Sequence, residues 1–157
     1  MLAWHAQEHV TSCVTACVRM VLTHFGQRWT EAQVRQILGR PRLGITLFAT
    51  HTQLIQAGAT ASFHDDWNIY DLRDSLSQGH YPIIGVERQA LGHAPASHAI
   101  VVVSITSHHV EILDPLDGPQ LPKYGMNVLE LAWKLSGQEA LIIEAPPRES
   151  ATLPSAP

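Results

Sequence analysis

The sequence predicts an α+β domain in which helices come first and an antiparallel sheet follows. Three observations carry this. Apolar residues recur at helical spacing through the first half. Runs rich in β-branched and apolar residues, bounded by turn residues, fill the second half. The strand-like runs 98–105 and 109–114 are joined by a link too short for a parallel crossover, so they should form a hairpin.

The elements follow in order. Val14, Cys17, Val18, Val21, Leu22 and Phe25 share one helical face, and Gly26 ends that helix. Thr30 opens a second helix with a T-x-x-Q capping box to Gln33, and Gly39 closes it. A third helix spans about 47–56, with Gly58 after it, and a short fourth spans about 70–77 and ends at Gly79. Strands are expected at 81–87, 98–105, 109–114 and 139–145, with one more helix at 127–135. The end, "APPRESATLPSAP", is rich in Pro, Ser and Ala. It divides the chain into a folded domain, 1–145, and a flexible tail, 146–157.

Composition narrows the function. With 157 residues, 45% of them hydrophobic and 15% charged, the chain suits one globular core. The net charge is −4 and no Lys/Arg cluster occurs, so nucleic acid and anionic membranes are not expected partners. Arg19, His98 and Asp114 interrupt the longest apolar stretches, and direct membrane insertion is not expected. "MLAWHAQEHV" lacks the basic and apolar regions of a signal peptide. A cytoplasmic protein with two reduced cysteines is the expectation. Most of the ten histidines, including His51, His64, His108 and His109, read as loop or surface residues.

Two histidines and two cysteines stand at informative places. His5, His9, Cys13 and Cys17 are spaced four apart, and a continuous helix would align them as metal ligands. Val10, Thr11 and Ser12 are poor helix formers suited to starting a new helix, and no CxxC pair is present, so no metal site is expected. Cys13 instead stands in the first turn of an apolar helix, where free N–H groups favour a thiolate. Cys17 reads as a small buried core residue.

His98 and Asp114 break the apolar pattern of their strands. With the hairpin centred on Thr106 they are equidistant from the turn and oppose each other. Their Cβ atoms would then lie roughly 4.5–5.5 Å apart, within reach of an Asp–His hydrogen bond. A nucleophile with a base and an orienting carboxylate is the logic of acyl transfer. Cys13 would attack, His98 would shuttle the proton, and Asp114 would fix the imidazole. The amide of Gln7, six residues upstream, would steady the oxyanion with the Cys13 N–H.

These residues and their order resemble the papain-like cysteine peptidases, and within them the C39 (bacteriocin-processing) family. "QEHVTSCVTAC" resembles that family's Q-x5-C-G-x-A-C, except that Val14 replaces the glycine. "SHAIVVVSI" resembles its histidine strand and "ILDPLDG" its D-P-x-x-G. The likeness runs over about residues 5–144. It implies a papain-like fold, with an N-terminal helical lobe packed on an antiparallel sheet, and a cofactor-free thiol peptidase. It implies catalytic Cys13, His98, Asp114 and Gln7, and cleavage of a leader peptide at a Gly-Gly type site. It also implies an association with an ABC exporter, encoded separately or on a longer chain. The loop 87–97 would border the cleft. Two other functions use the same residues: a peptide-binding domain without turnover, and a papain-like acyl transferase.

Overall fold

The computed structural model describes residues 2–148. Five helices and six strands appear in the order α1 (Cys13–His24), α2 (Glu31–Ile37), α3 (Leu47–Gln56), β1 (Thr60–His64), α4 (Ile69–Ser77), β2 (Ile83–Glu87), β3 (Ser97–Ile105), β4 (His109–Leu113), β5 (Lys123–Gly125), α5 (Met126–Leu135) and β6 (Ala140–Ala145). A 3₁₀ turn, Arg88–Leu91, lies within the expected loop 87–97.

The strands form one sheet in the order β1-β6-β2-β3-β4-β5, and every neighbouring pair is antiparallel. Apolar side chains alternate between its faces and seed two cores. On one face Val101, Ile83, Leu141 and Ile143 pack with Cys17, Val18, Val21 and Leu22 of α1 and with Val34 and Leu54 of α2 and α3. On the other, Ile100, Val102, Ile84 and Ile112 pack with Leu72 of α4 and Leu129 and Trp133 of α5. The expected helical lobe on an antiparallel sheet is therefore present, with a further helical layer behind it.

Local chemistry sets the helix ends. The Thr30–Gln33 capping box forms, with Gln33 N donating to Thr30 Oγ1 at 3.1 Å and Thr30 N donating to Gln33 Oε1 at 2.8 Å. Asn68 and Asp71 form a second box at the start of α4. Gly26, with φ 78°, lets the chain turn sharply after α1.

The hairpin register differs from the expected one. Val101 pairs with Leu113 and Val102 with Ile112, and beyond a bulge Ile105 pairs with Val110. The turn is closed by Thr106 and His109 around Ser107 and His108: Thr106 N donates to His109 O, and His109 N donates to Thr106 Oγ1. The turn centre thus lies about one residue later than Thr106. Continuing the pairing places Asp114 beside Ile100 and diagonal to His98, a separation that long side chains still span.

Two strands were not anticipated. β1 is only five residues long, with Ala61 and Phe63 as its apolar positions packed on the α1 core, and it pairs only with β6. β5 is three residues long and follows Pro122. At the other end, residues 146–148 lie along the domain: Gln27 Nε2 donates to Pro147 O, and Arg148 N donates to Ala57 O. The rest of the expected tail lies outside the described residues.

Candidate active site

Cys13 is the first residue of α1 and is half-buried. Ser12 holds the N-cap position, but its hydroxyl makes no capping bond. Instead it meets His9 and Glu31. The first amides of α1 are thereby left without a side-chain acceptor. The backbone N–H groups of Val14 and of Ala99, from β3, favour a charged Cys13 sulfur. The helix that would align His5 and His9 with the two cysteines does not exist, because α1 begins at Cys13. Among the described residues, no three His, Cys, Asp or Glu side chains are grouped to hold a metal ion.

His98 enters near the start of β3 and is buried, with Asp114 buried just past the end of β4. His98 Nε2 donates to Asp114 Oδ1 at 2.7 Å. That bond uses one ring nitrogen and leaves the other for the Cys13 thiol, which lines the same cleft and helps raise the His98 pKa. The Leu116 N–H donates to the same carboxylate oxygen at 2.8 Å. Behind the carboxylate, Trp4 Nε1 donates to the Asp114 carbonyl at 2.8 Å, and the Gln7 N–H donates to the Pro115 carbonyl at 3.1 Å. The Trp4 ring lies hard against Gly118, where an added Cβ would stand 1.8 Å from the indole.

Protonation follows from these contacts. Burial pushes the Cys13 thiol up, but the His98 hydrogen bond and charge, with the Ala99 and Val14 amides, outweigh it and hold the thiol below its ordinary value. Burial disfavours a charged His98, yet Asp114 and Cys13 raise its pKa from 6.5 to about 9. Asp114 is likewise penalised by burial, but His98 keeps it below the usual carboxylate value. The three shifts act in one direction, each favouring its charged form: thiolate, imidazolium and carboxylate. Cys17 differs sharply: full burial drives its thiol well above the ordinary range, and it is inert packing for α1.

Gln7 is placed less directly. Its side-chain NH₂ donates to His9 O at 2.8 Å and Val10 O at 3.2 Å, closing its own loop, while its Oε1 is buried without a partner. The structure therefore brings Cys13, His98 and Asp114 together and sets Gln7 in the adjoining loop with its donors engaged.

A cleft of ≈ 530 Å³ opens over the thiol. Cys13, His98 and Ala99 line it, with Leu43 and Ile45 on the helical side and Glu139 on the sheet side. Val14, at the position where the glycine was expected, also lines it. The 87–97 segment contributes only Ser97.

A model of the peptidase C39 family matches residues 2–142. The chain belongs to the peptidase C39 family. Solved structures agree on the fold. A C39-like peptidase of Bacillus anthracis superposes with a TM-score of 0.76 at 14% identity, over 94% of this chain and 96% of that one. The peptidase domain of Streptococcus ComA, a bifunctional ABC transporter of a quorum-sensing pathway, gives 0.73 at 18%, over 93% and 99%. A double-glycine-motif protease from an AMS/PCAT transporter, solved with its leader peptide, gives 0.70 at 19%, over 94% and 93%. No curated protein matches the chain in sequence. Among the described residues, no helix of this C39 chain is long and apolar enough to cross a membrane.

Three participants escaped the sequence analysis: Trp4, Glu31 and the Ala99 amide. An indole in a polar lead-in was a usable signal for Trp4. Glu31 looks like any acidic residue in a first helical turn, and backbone amides leave no trace in side-chain patterns.

Proposed function

We propose that this C39 chain is a cysteine peptidase in which Cys13 is the nucleophile, His98 the general acid and base, Asp114 the orienting carboxylate and Gln7 an oxyanion donor. The observation that carries this reading is the row of contacts from the Cys13 thiol through His98 to a buried Asp114, with the 2.7 Å His98–Asp114 bond at its base.

The Cys13 thiolate adds to the scissile carbonyl. The carbonyl oxygen becomes an oxyanion, met by the Cys13 N–H and by the Gln7 amide once it releases a loop carbonyl. Imidazolium His98 gives its proton to the leaving amine as the C–N bond breaks and a thioester forms. Neutral His98 then takes a proton from water, hydroxide adds to the thioester, and the thiolate leaves. Asp114 keeps the ring nitrogen facing the thiol correctly directed and stabilises the imidazolium.

The substrate in this reading is a leader peptide with a Gly-Gly type site. The support is the leader-peptide complex of the AMS/PCAT protease and the peptidase role of the ComA domain. The partner is an ABC exporter, on a longer chain or encoded separately, and the setting is cytoplasmic.

Iodoacetamide labelling at pH 6 tests the site. Cys13 should alkylate much faster than an ordinary thiol, and the Cys13→Ala variant should show no fast phase. Alkylation at the rate of an unperturbed thiol would refute the ion pair and favour a domain that binds peptide without turnover.

A further inference from the structure

The thiol's approach is governed from a place that the catalytic row does not include. Glu31, at the start of α2, is only 1% exposed. Its Oε1 accepts the Glu8 N–H at 3.1 Å and the Ser12 hydroxyl at 3.1 Å. Its Oε2 is buried without a partner, and no described ion pair involves it. Leaving a carboxylate oxygen buried and unpartnered is unfavourable. Such a group persists where the bonds it does make matter to the surrounding structure.

Those bonds fall on one segment. Residues 7–12 carry the Gln7 amide and run directly into Cys13. Within the segment, Ser12 N–H donates to His9 O, Ser12 Oγ accepts the His9 N–H, and Gln7 Nε2 reaches His9 O and Val10 O. The Ser12 hydroxyl has one hydrogen and two acceptors in range, His9 O and Glu31 Oε1, both near 3.0 Å. A carboxylate is the stronger acceptor. Arg35, one turn further along α2, donates to His9 Nε2 at 3.2 Å and holds the segment at a second point. So α2 grips the loop from both ends, while the loop's own bonds join Gln7 to Ser12.

We propose that Glu31 is a positioning residue for the oxyanion side of the site. By holding Glu8 and Ser12 it fixes the loop that places the Gln7 amide and the Cys13 N–H. This rests on the peptidase reading above. Glu31 is not among the groups that set the Cys13 thiol, which are His98 and the Ala99 and Val14 amides. Its loss should therefore slow carbonyl chemistry without dulling the sulfur.

The test uses two reagents on the folded chain. Hydrolysis of p-nitrophenyl N-acetylglycinate passes through an oxyanion: the sulfur–carbon bond forms, p-nitrophenolate leaves, and water then cleaves the thioester. Iodoacetamide alkylation involves no oxyanion. In Glu31→Ala, kcat for the ester should fall by about 10–100-fold, short of the roughly 10²–10³ for losing a donor outright, with KM within about twofold. The alkylation rate should stay near that of the unaltered chain. Glu31→Gln keeps a carbonyl oxygen as acceptor and should recover most of the loss. Ser12→Ala should cost less in the Glu31→Ala background than alone, since both break one linkage. An unchanged kcat in Glu31→Ala overturns the proposal. So does a parallel fall in kcat and alkylation, which would mark Glu31 as a folding residue only. An unaltered chain that neither hydrolyses the ester nor alkylates fast overturns the peptidase reading, and this inference with it.

Discussion

The two sides of the cleft are built differently. On the sheet side, His98 and Asp114 are buried and bonded at 2.7 Å before any substrate arrives. On the helical side, the 7–12 loop is mostly exposed, and its chief donor, Gln7, is turned onto its own carbonyls. Folding alone completes the first side, because the hairpin and its bulge bring histidine and aspartate together. The second side is finished by a few hydrogen bonds in an exposed loop. In the proposed mechanism the base is thus preorganised by tertiary structure, whereas the oxyanion site depends on local restraint.

The largest effect should separate the two sides outright. His98→Ala should lower kcat/KM by about 10⁴-fold or more and also return Cys13 alkylation to the rate of an ordinary thiol. Gln7→Ala should lower kcat by about 10²–10³-fold while leaving alkylation fast. Steady-state kinetics beside iodoacetamide labelling reads both. If Gln7→Ala also slowed alkylation, the two sides would not be separable and the contrast would fail.

A smaller effect is a pH dependence of stability. The folded pKa of His98, about 9, lies above its ordinary 6.5. The pair's contribution is therefore fully present below the unfolded value and is lost as pH rises through about 9. Asp114, held low, works in the opposite sense: its contribution is present above its ordinary range and is lost on acidification. Thermal unfolding of the unaltered chain against His98→Gln should show the greatest difference near pH 6 and little above pH 10. A difference independent of pH would mean that the buried row is not ionised in the folded state.

Much of this architecture was legible in the residues. Helix boundaries with a strong cap or a terminal glycine, such as Thr30 and Gly58, lie where their chemistry places them. His98 and Asp114 stood out because polar groups interrupted apolar strands. Their meeting was foreseen by a register slightly in error: shifting the turn centre by one residue moves the partner by two, which preserves the face. β1 was hidden because its alternation spans only five residues, with small Ala61 and Phe63 as its two apolar positions, too short a signal to stand out beside α3. The roles of Trp4 and Glu31 depend on contacts across long sequence separations, 110 and 19 residues, that no local spacing records.

Gly118 shows how far the site's requirements reach. Its backbone lies so close to the Trp4 indole that one added carbon could not be accommodated, and that indole holds the carbonyl of Asp114. A methyl group there would push the aromatic ring aside and loosen its hold on the Asp114 backbone carbonyl. Tolerance to change around this peptidase centre is therefore limited by a residue with no side chain, whose contribution is the space it leaves free.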